Sequence, residues 1–258
     1  MRMQRQSPGD NENLRGRIVV ITRPAGTAAA LARRVRALGG VPLLLPGLAL
    51  RGVADEAAAR AGLQAALRDE LLVFTSPAAV LHAATLVPLQ TAATVLAVGR
   101  GTARALRRYG IAAPLSPQRQ DSEGLLEHPV LQDLRGRRVA LIGASGGRGV
   151  LREQLAARGA RLRELHVYRR APPRLDRRHV DVLLQLPASA CVLLSSAEAL
   201  QNLQQLLPPP AWARLCAATA VVSSERLAVA ARDAGFVRIV LAASALSADL
   251  LDAARRAS

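Results

Sequence analysis

Hydroxyl and glycine residues recur at one kind of position in this 258-residue chain: just after a short apolar run and just before a helical one. Thr75 and Ser76 follow Leu71-Leu72-Val73-Phe74. Gly99, Gly101 and Thr102 follow Thr94-Val95-Leu96-Ala97-Val98. Ser122 opens a helix after a short run at 111–115. Gly146, Gly147 and Arg148 follow the run at 138–142. Ser195 and Ser196 follow Cys191-Val192-Leu193-Leu194, and Ser223 and Ser224 follow Ala220-Val221-Val222. Any one of these residues is an ordinary helix start. As a set they describe strand ends that offer hydroxyls, free amide N–H groups and positive helix termini, which suit anions. The Gly146-Gly147-Arg148 loop lacks the Gly-Lys-Ser/Thr of a phosphate-binding P-loop and is not a good GxGxxG, so it carries only a weak anion signal.

Strong acid–base or metal chemistry finds little support. His82, His128, His166 and His179 show no i, i+4 pairing, and no paired carboxylates stand at strand ends. Cys191 and Cys216 have no CxxC spacing and read as buried, reduced thiols. We therefore expect no metal and no cofactor. Hydroxyls, arginines and amides without a strong base suit a reaction governed by charge placement and by the folding of its substrate.

The formal net charge is +16, and all 35 basic side chains are arginine. Two readings of this excess stand: a codon bias that writes arginine wherever a cation is tolerated, and an anionic partner held by bidentate guanidinium groups. Nucleic acid would suit so basic a protein. However, the arginines are scattered, and aromatic residues make up only 2% of the chain, too few for base stacking. A small polycarboxylate fits the charge as well and is the partner we expect, with no nucleic acid and no membrane. A hinged two-domain anion-binding protein without catalysis, or a nucleic-acid-binding protein, are the competing classes. No apolar run approaches the roughly 20 residues needed to span a bilayer, and residues 1–15 read as a disordered leader, not a signal peptide. The expected location is the cytoplasm.

These residues need elements to hold them. Short apolar runs alternate with helical spacings throughout, which predicts parallel sheets covered by helices on both faces. The chain also repeats itself. Phe74-Thr75-Ser76-Pro77 resembles Leu194-Ser195-Ser196-Ala197, residues 17–21 resemble 138–142, and Ser122-Glu123-Gly124-Leu125-Leu126 resembles Ser247-Ala248-Asp249-Leu250-Leu251. Two like α/β domains follow. The stretch Leu165-His166-Val167-Tyr168-Arg169-Arg170-Ala171-Pro172-Pro173 carries one of two tyrosines and ends in a double proline. It reads as a connector with a polar tip that cannot sit inside a sheet. Residues 41–50, broken by Pro42 and Pro46, read likewise.

In order along the chain, Phe74-Thr75-Ser76-Pro77, Ala97-Val98-Gly99-Arg100-Gly101-Thr102-Ala103, Asp121-Ser122-Glu123-Gly124-Leu125-Leu126, Gly146-Gly147-Arg148, Val167-Tyr168-Arg169-Arg170 and Val222-Ser223-Ser224-Glu225-Arg226 resemble the uroporphyrinogen-III synthase family. The resemblance covers roughly residue 16 onward. It implies a cofactor-free enzyme of tetrapyrrole synthesis that closes hydroxymethylbilane, a linear tetrapyrrole with eight carboxylates, with inversion of ring D and loss of water. It also implies a monomer that receives its substrate by transient hand-over from hydroxymethylbilane synthase.

The fold it implies is α/β, with two flavodoxin-like parallel-sheet domains joined by a two-segment linker and a cleft between them. The first domain would comprise 16–42 plus 174–258 and the second 52–161, with linkers at 43–51 and 162–173. By motif position Tyr168 is the candidate to assist departure of the hydroxyl, Thr102 matches a cleft threonine, and Arg23 is expected near a carboxylate. The chain departs from the family at Arg226-Leu227, where some members have threonines, and at Gly143, where many bacterial members have arginine.

Overall fold

The computed structural model of the protein describes residues 14–146 and 149–257. The chain begins with β1 (Ile18–Ile21), α1 (Ala29–Ala37) and β2 (Val41–Leu44). Then come β3 (Ala49–Gly52), α2 (Glu56–Ala66), β4 (Leu71–Phe74), α3 (Pro77–Leu86), β5 (Thr94–Ala97), α4 (Arg100–Arg108) and the short α5 (Ser122–Leu126). A third stretch holds β6 (Arg138–Ala144), α6 (Val150–Ala157) and β7 (Arg161–Ala171). The remainder is α7 (Arg177–Leu184), β8 (Cys191–Leu194), α8 (Ala197–Leu206), α9 (Pro209–Cys216), β9 (Thr219–Val222), α10 (Glu225–Asp233), β10 (Ile239–Leu241) and α11 (Ser247–Arg256).

Two compact units result. Residues up to Ala49 join those from Ala171 onward in one, and Leu50–Arg170 forms the other. The first unit's sheet has the order β10-β9-β8-β1-β2, and all four neighbouring pairs run parallel. Counted within the unit this is 2-1-3-4-5, the flavodoxin-like order. The central strands are unbroken apolar runs, as a sheet covered on both faces requires. Pro42 is tolerated because β2 is an edge strand.

The second unit has the order β3-β7-β6-β4-β5, with β6 in the central place that β8 holds in the first. Beyond β5, Leu115 makes a single parallel bridge to Leu96. The strand expected at 111–115 is reduced to that bridge. Pro114 has no N–H to give, so pairing starts only where Leu115 donates to Val95 and accepts from Ala97.

The sequence repeat is therefore not folded in tandem. The first β-α-β stretch (β1, α1, β2) joins the last three strands through β1–β8 pairing, while β6 and β7 join β4 and β5.

Four sequence expectations need correction. The segment expected as a connector at 162–173 is mostly β7, an 11-residue strand lying between β6 and β3. Its two prolines stand just past its end and remove no donor from the ladder. The segment 43–51 is likewise not a free linker. It contains the end of β2 and the start of β3, and Leu45 and Leu48 between them are buried. Leu14, placed at the end of a leader, is 1% exposed and packs in the core with its N–H on Leu38; residues 1–13 lie outside the described residues. Finally, α9 has no counterpart in the sequence reading. It starts at Pro209, and proline is at home in a first helical turn. Cys191 and Cys216 are both buried free thiols, and burial pushes the Cys216 thiol up to about 11.

Many arginines are spoken for structurally. Arg17 donates to Ala254 at the end of α11, Arg60 to Leu86 at the end of α3, and Arg238 to Ala217 and Ala188. Arg158 donates to Leu126 at 2.7 Å and Leu131 at 2.8 Å. Arg163 Nε pairs with the buried carboxylate of Asp69 at 3.1 Å. Guanidinium groups thus satisfy main-chain carbonyls, most of them at helix ends. Arg158→Ala takes the donor from Leu131 and leaves Leu126 with Gln132 Nε2 alone, at 2.8 Å, and is expected to cost about 2 kcal/mol, read from urea unfolding. Arg158→Lys should recover less than half of this, because an ammonium cannot fork. An unchanged unfolding midpoint in Arg158→Ala would contradict this account.

Candidate active site

In the unit Leu50–Arg170, a recess of about 480 Å³ lies at the carboxyl ends of β4, β6 and β7. Thr75, Ser76, Ser122, Gly146 and Tyr168 line it, together with Arg152, Glu164, His166 and Arg170. This is where an open parallel sheet binds its ligands.

Ser76 is fixed by its place in the chain. It leaves β4 in an extended conformation, Pro77 starts α3, and the Ser76 hydroxyl caps that helix by accepting from Ala79 N–H at 3.0 Å. Thr75 donates from both its amide and its hydroxyl to the carbonyl of Ile142, at 3.1 and 3.3 Å. That arrangement needs a glycine next to Ile142. A Cβ on Gly143 would stand 2.5 Å from Thr75 Oγ1, so no side chain fits there while Thr75 keeps its place.

Tyr168 is aimed by a bulge. Gly143 pairs with His166 but Ala144 pairs with Tyr168, so Val167 is an extra residue on β7. Strict alternation would bury only one of two neighbours. With the bulge, Val167 and Tyr168 are both buried, 2% and 6% exposed, in the same core. The Tyr168 hydroxyl then lies 3.1 Å from Ser76 Oγ, and its ring stacks on His82 with centroids 5.3 Å apart and planes 14° apart. Burial holds the His82 imidazole below its ordinary pKa.

Around this pair sit Arg152, Arg170 and His166, with Glu164 as counter-charge. His166 Nε2 is 3.0 Å from Glu164 Oε1. The wall can therefore receive carboxylates beside a hydroxyl pair. Ser122, the first residue of α5, lines the recess, while the cap is Asp121, whose carboxylate accepts from Gly124 N–H at 2.6 Å. Gly146, with φ +77°, turns the chain at the rim. Gly147 and Arg148 lie outside the described residues.

Other expected site residues are not brought to this recess. Gly99 caps α4 through its backbone, and the first amide of that helix, at Arg100, is already taken by Gln120 Oε1 at 3.2 Å. Gly101 lies beside Pro77, and Thr102 is 3% exposed on the buried face of α4 with Ala103 and Leu106.

The remaining five belong to the other unit. There Ser196 and Ser224 cap α8 and α10, while Ser195 and Ser223 stand half-buried one residue before them. Arg23 donates to the Ala245 carbonyl at 3.1 Å, and burial lowers its pKa. Thr22, beside Arg23 in the same loop, is buried there and donates to Leu193 O at 2.7 Å.

Arg152, Glu164, His166 and the stacking role of His82 were missed. The signal for part of the set was present: Glu164 and His166 are alternate residues, the mark of one strand face, although the bulge takes Tyr168 out of that alternation. Among the described residues no group of three or more His, Cys, Asp or Glu side chains could hold a metal ion.

The family model for uroporphyrinogen-III synthase HemD matches residues 29–252 of the chain. A uroporphyrinogen-III synthase from Escherichia coli is 33% identical over 250 residues, covering 91% of this chain and 98% of that protein. One from Salmonella typhimurium is 34% identical over 256 residues with the same coverage. Among solved structures, a uroporphyrinogen-III synthetase from Helicobacter pylori matches with a TM-score of 0.61 at 15% identity, covering 92% of this chain and 97% of that one. A mutant uroporphyrinogen III synthase from Thermus thermophilus matches with a TM-score of 0.56 at 23% identity, covering 94% and 98%. At those identities the two structures speak for the fold.

Proposed function

The chain belongs to the uroporphyrinogen-III synthase family, and from that premise we propose that it closes hydroxymethylbilane to uroporphyrinogen III with inversion of ring D and loss of water, as a carbon–oxygen lyase. The observation that carries this reading is the family match over residues 29–252, which draws on both units of the fold.

The recess in the Leu50–Arg170 unit supports a division of labour. The pyrrole that bears the hydroxymethyl group supplies the electron pair that breaks the C–O bond, and the Tyr168 hydroxyl gives the proton with which the oxygen leaves as water. Ring D then attacks the electrophilic methylene carbon from its substituted carbon, forming a spiro intermediate. The older bond from that substituted carbon, to the methylene it shares with ring C, then breaks with electron release from the ring C pyrrole, and the free carbon of ring D attacks this methylene, which inverts the ring. Loss of a proton from that carbon restores the pyrrole and reprotonates Tyr168, so the protein ends as it began. Ser76, held by α3, keeps the Tyr168 hydroxyl in one place, and Arg152 and Arg170 are the local candidates for substrate carboxylates. The task is orientation: ring D must be held so that inversion outpaces spontaneous closure to the symmetric isomer.

Purified protein incubated with freshly made hydroxymethylbilane is expected to yield isomer III in excess. Isomer I alone, at the spontaneous rate, would overturn the reading. The reading also includes a monomer acting in the cytoplasm that takes its substrate by transient hand-over from hydroxymethylbilane synthase. Gel filtration should then give one species of 27.2 kDa, and a stable dimer would speak against it.

A further inference from the structure

His82 has no part in the proton transfers above, and its ring takes no hydrogen bond from the described residues. Its ring does not line the recess. Its contact is the face of the Tyr168 ring, 5.3 Å between centroids and 14° from parallel. The geometry points to His82 as a positioning residue: the imidazole, stacked on the phenol, fixes the ring plane of Tyr168 so that its hydroxyl stays on Ser76 and faces the recess.

A tyrosine has two side-chain torsions to fix. The bulge at Val167 and the surrounding core set where the ring enters. Rotation of the ring about its own axis does not move the hydroxyl, but tilting the ring does. The hydrogen bond to Ser76 restrains one end of the phenol only, and a flat partner against the ring face restrains the tilt. His82 and Ser76 both belong to the α3 region, one within the helix and one as its cap. The same rigid element thus holds the phenol at its hydroxyl and at its face. A group that acts by stacking should be replaceable by another flat ring, whereas a proton carrier should not. The lowered basicity of His82, caused by burial, agrees with a neutral ring in this place.

The inference rests on the reading that Tyr168 serves the departing hydroxyl, and the test separates the two. His82→Ala should lower kcat roughly 3- to 10-fold, the size expected for loss of one aromatic pair. KM should stay within about 2-fold, and the fraction of isomer I should rise. His82→Phe should restore kcat to within about 2-fold of the unaltered protein. In a Tyr168→Phe background, His82→Ala should change kcat less than about 2-fold, because the hydroxyl it positions is gone. Thermal unfolding of each variant accompanies the kinetics, so that a folding defect, which would lower the active fraction equally in both backgrounds, is seen as such. Unchanged kcat in His82→Ala overturns the inference, as does a His82→Phe variant no better than His82→Ala, or an equal loss in both backgrounds. If Tyr168→Phe itself retains full activity, the catalytic reading of Tyr168 fails first, whatever His82 does.

Discussion

Tyr168→Phe is expected to lower kcat for uroporphyrinogen III formation by roughly 100-fold, with KM and melting temperature nearly unchanged. The substitution removes one oxygen. Phenylalanine keeps the stack on His82 and the packing among Val167 and its neighbours. Ser76 keeps its bond from Ala79, so the cap of α3 survives. Loss of a single neutral hydrogen bond costs about 1 kcal/mol or less in stability. A positioned general acid contributes roughly 10²- to 10⁴-fold. The lower end applies here because the electron-rich pyrrole already drives the C–O bond to break. Isomer analysis makes the outcome sharper: as the catalysed rate falls, spontaneous closure claims a growing share of the bilane and isomer I accumulates. Kinetics identical to those of the unaltered protein would leave Tyr168 a packing residue at the end of β7.

Gly124→Ala should be the most damaging single-methyl change in the Leu50–Arg170 unit. A Cβ there would stand 2.2 Å from the Arg119 carbonyl oxygen and 3.0 Å from its carbonyl carbon, so backbone would have to move. The atoms in the way are Arg119 backbone, not the end of a flexible side chain, so relief requires a main-chain shift; the exposed Arg119 pairs with Asp121 and Glu127 add little to this. Retreat would also pull the Gly124 amide from its Asp121 cap and lift Leu125 and Leu126 from the core. Overpacking of this kind costs about 3 kcal/mol. In urea unfolding the midpoint should fall with an unchanged slope. Gly52→Ala is the control: its nearest neighbour would be Glu56 Oε1 at an ordinary 3.5 Å, and a change within about 0.5 kcal/mol is expected. Equal effects at the two glycines would show that close approach at Gly124 is not what holds α5 in place.

Much of this was legible in the residues. Unbroken apolar runs such as Leu71–Phe74 gave their strands directly, because parallel strands covered on both faces have no polar side to hide. Ser76 was legible as a helix start since its cap is made three residues away. What escaped depends on contacts between distant parts of the chain. β7 carries polar residues on exposed positions and ends in two prolines, so only its pairing with β6 identifies it as a strand. The bulge that turns Tyr168 inward has no local signature at all. Arginine excess invited a search for a polyanion, yet Arg17, Arg60, Arg158 and Arg238 end on main-chain carbonyls remote in sequence. The glycine in Ser122-Glu123-Gly124 could be counted but not explained until Arg119 was seen against it.

The exchange of β-α-β stretches between the two halves of the repeat sets an order of events in the ribosome-bound chain. Every strand of the Leu50–Arg170 unit has been made once Arg170 has emerged, and that unit can close on itself. β1 is made long before, yet its pairing partner on one side, β8, begins only at Cys191. Throughout the synthesis of the whole second unit, Ile18-Val19-Val20-Ile21 carries an open, apolar strand edge with nothing of its own to cover it. Such an edge is the kind of surface that chaperones hold and that aggregates recruit. The same delay should appear in refolding of the full chain, where pulse-labelled hydrogen exchange is expected to protect the amides of β4 and β6 before those of β1. The vulnerable moment in the life of this protein is thus fixed by which strand waits for which.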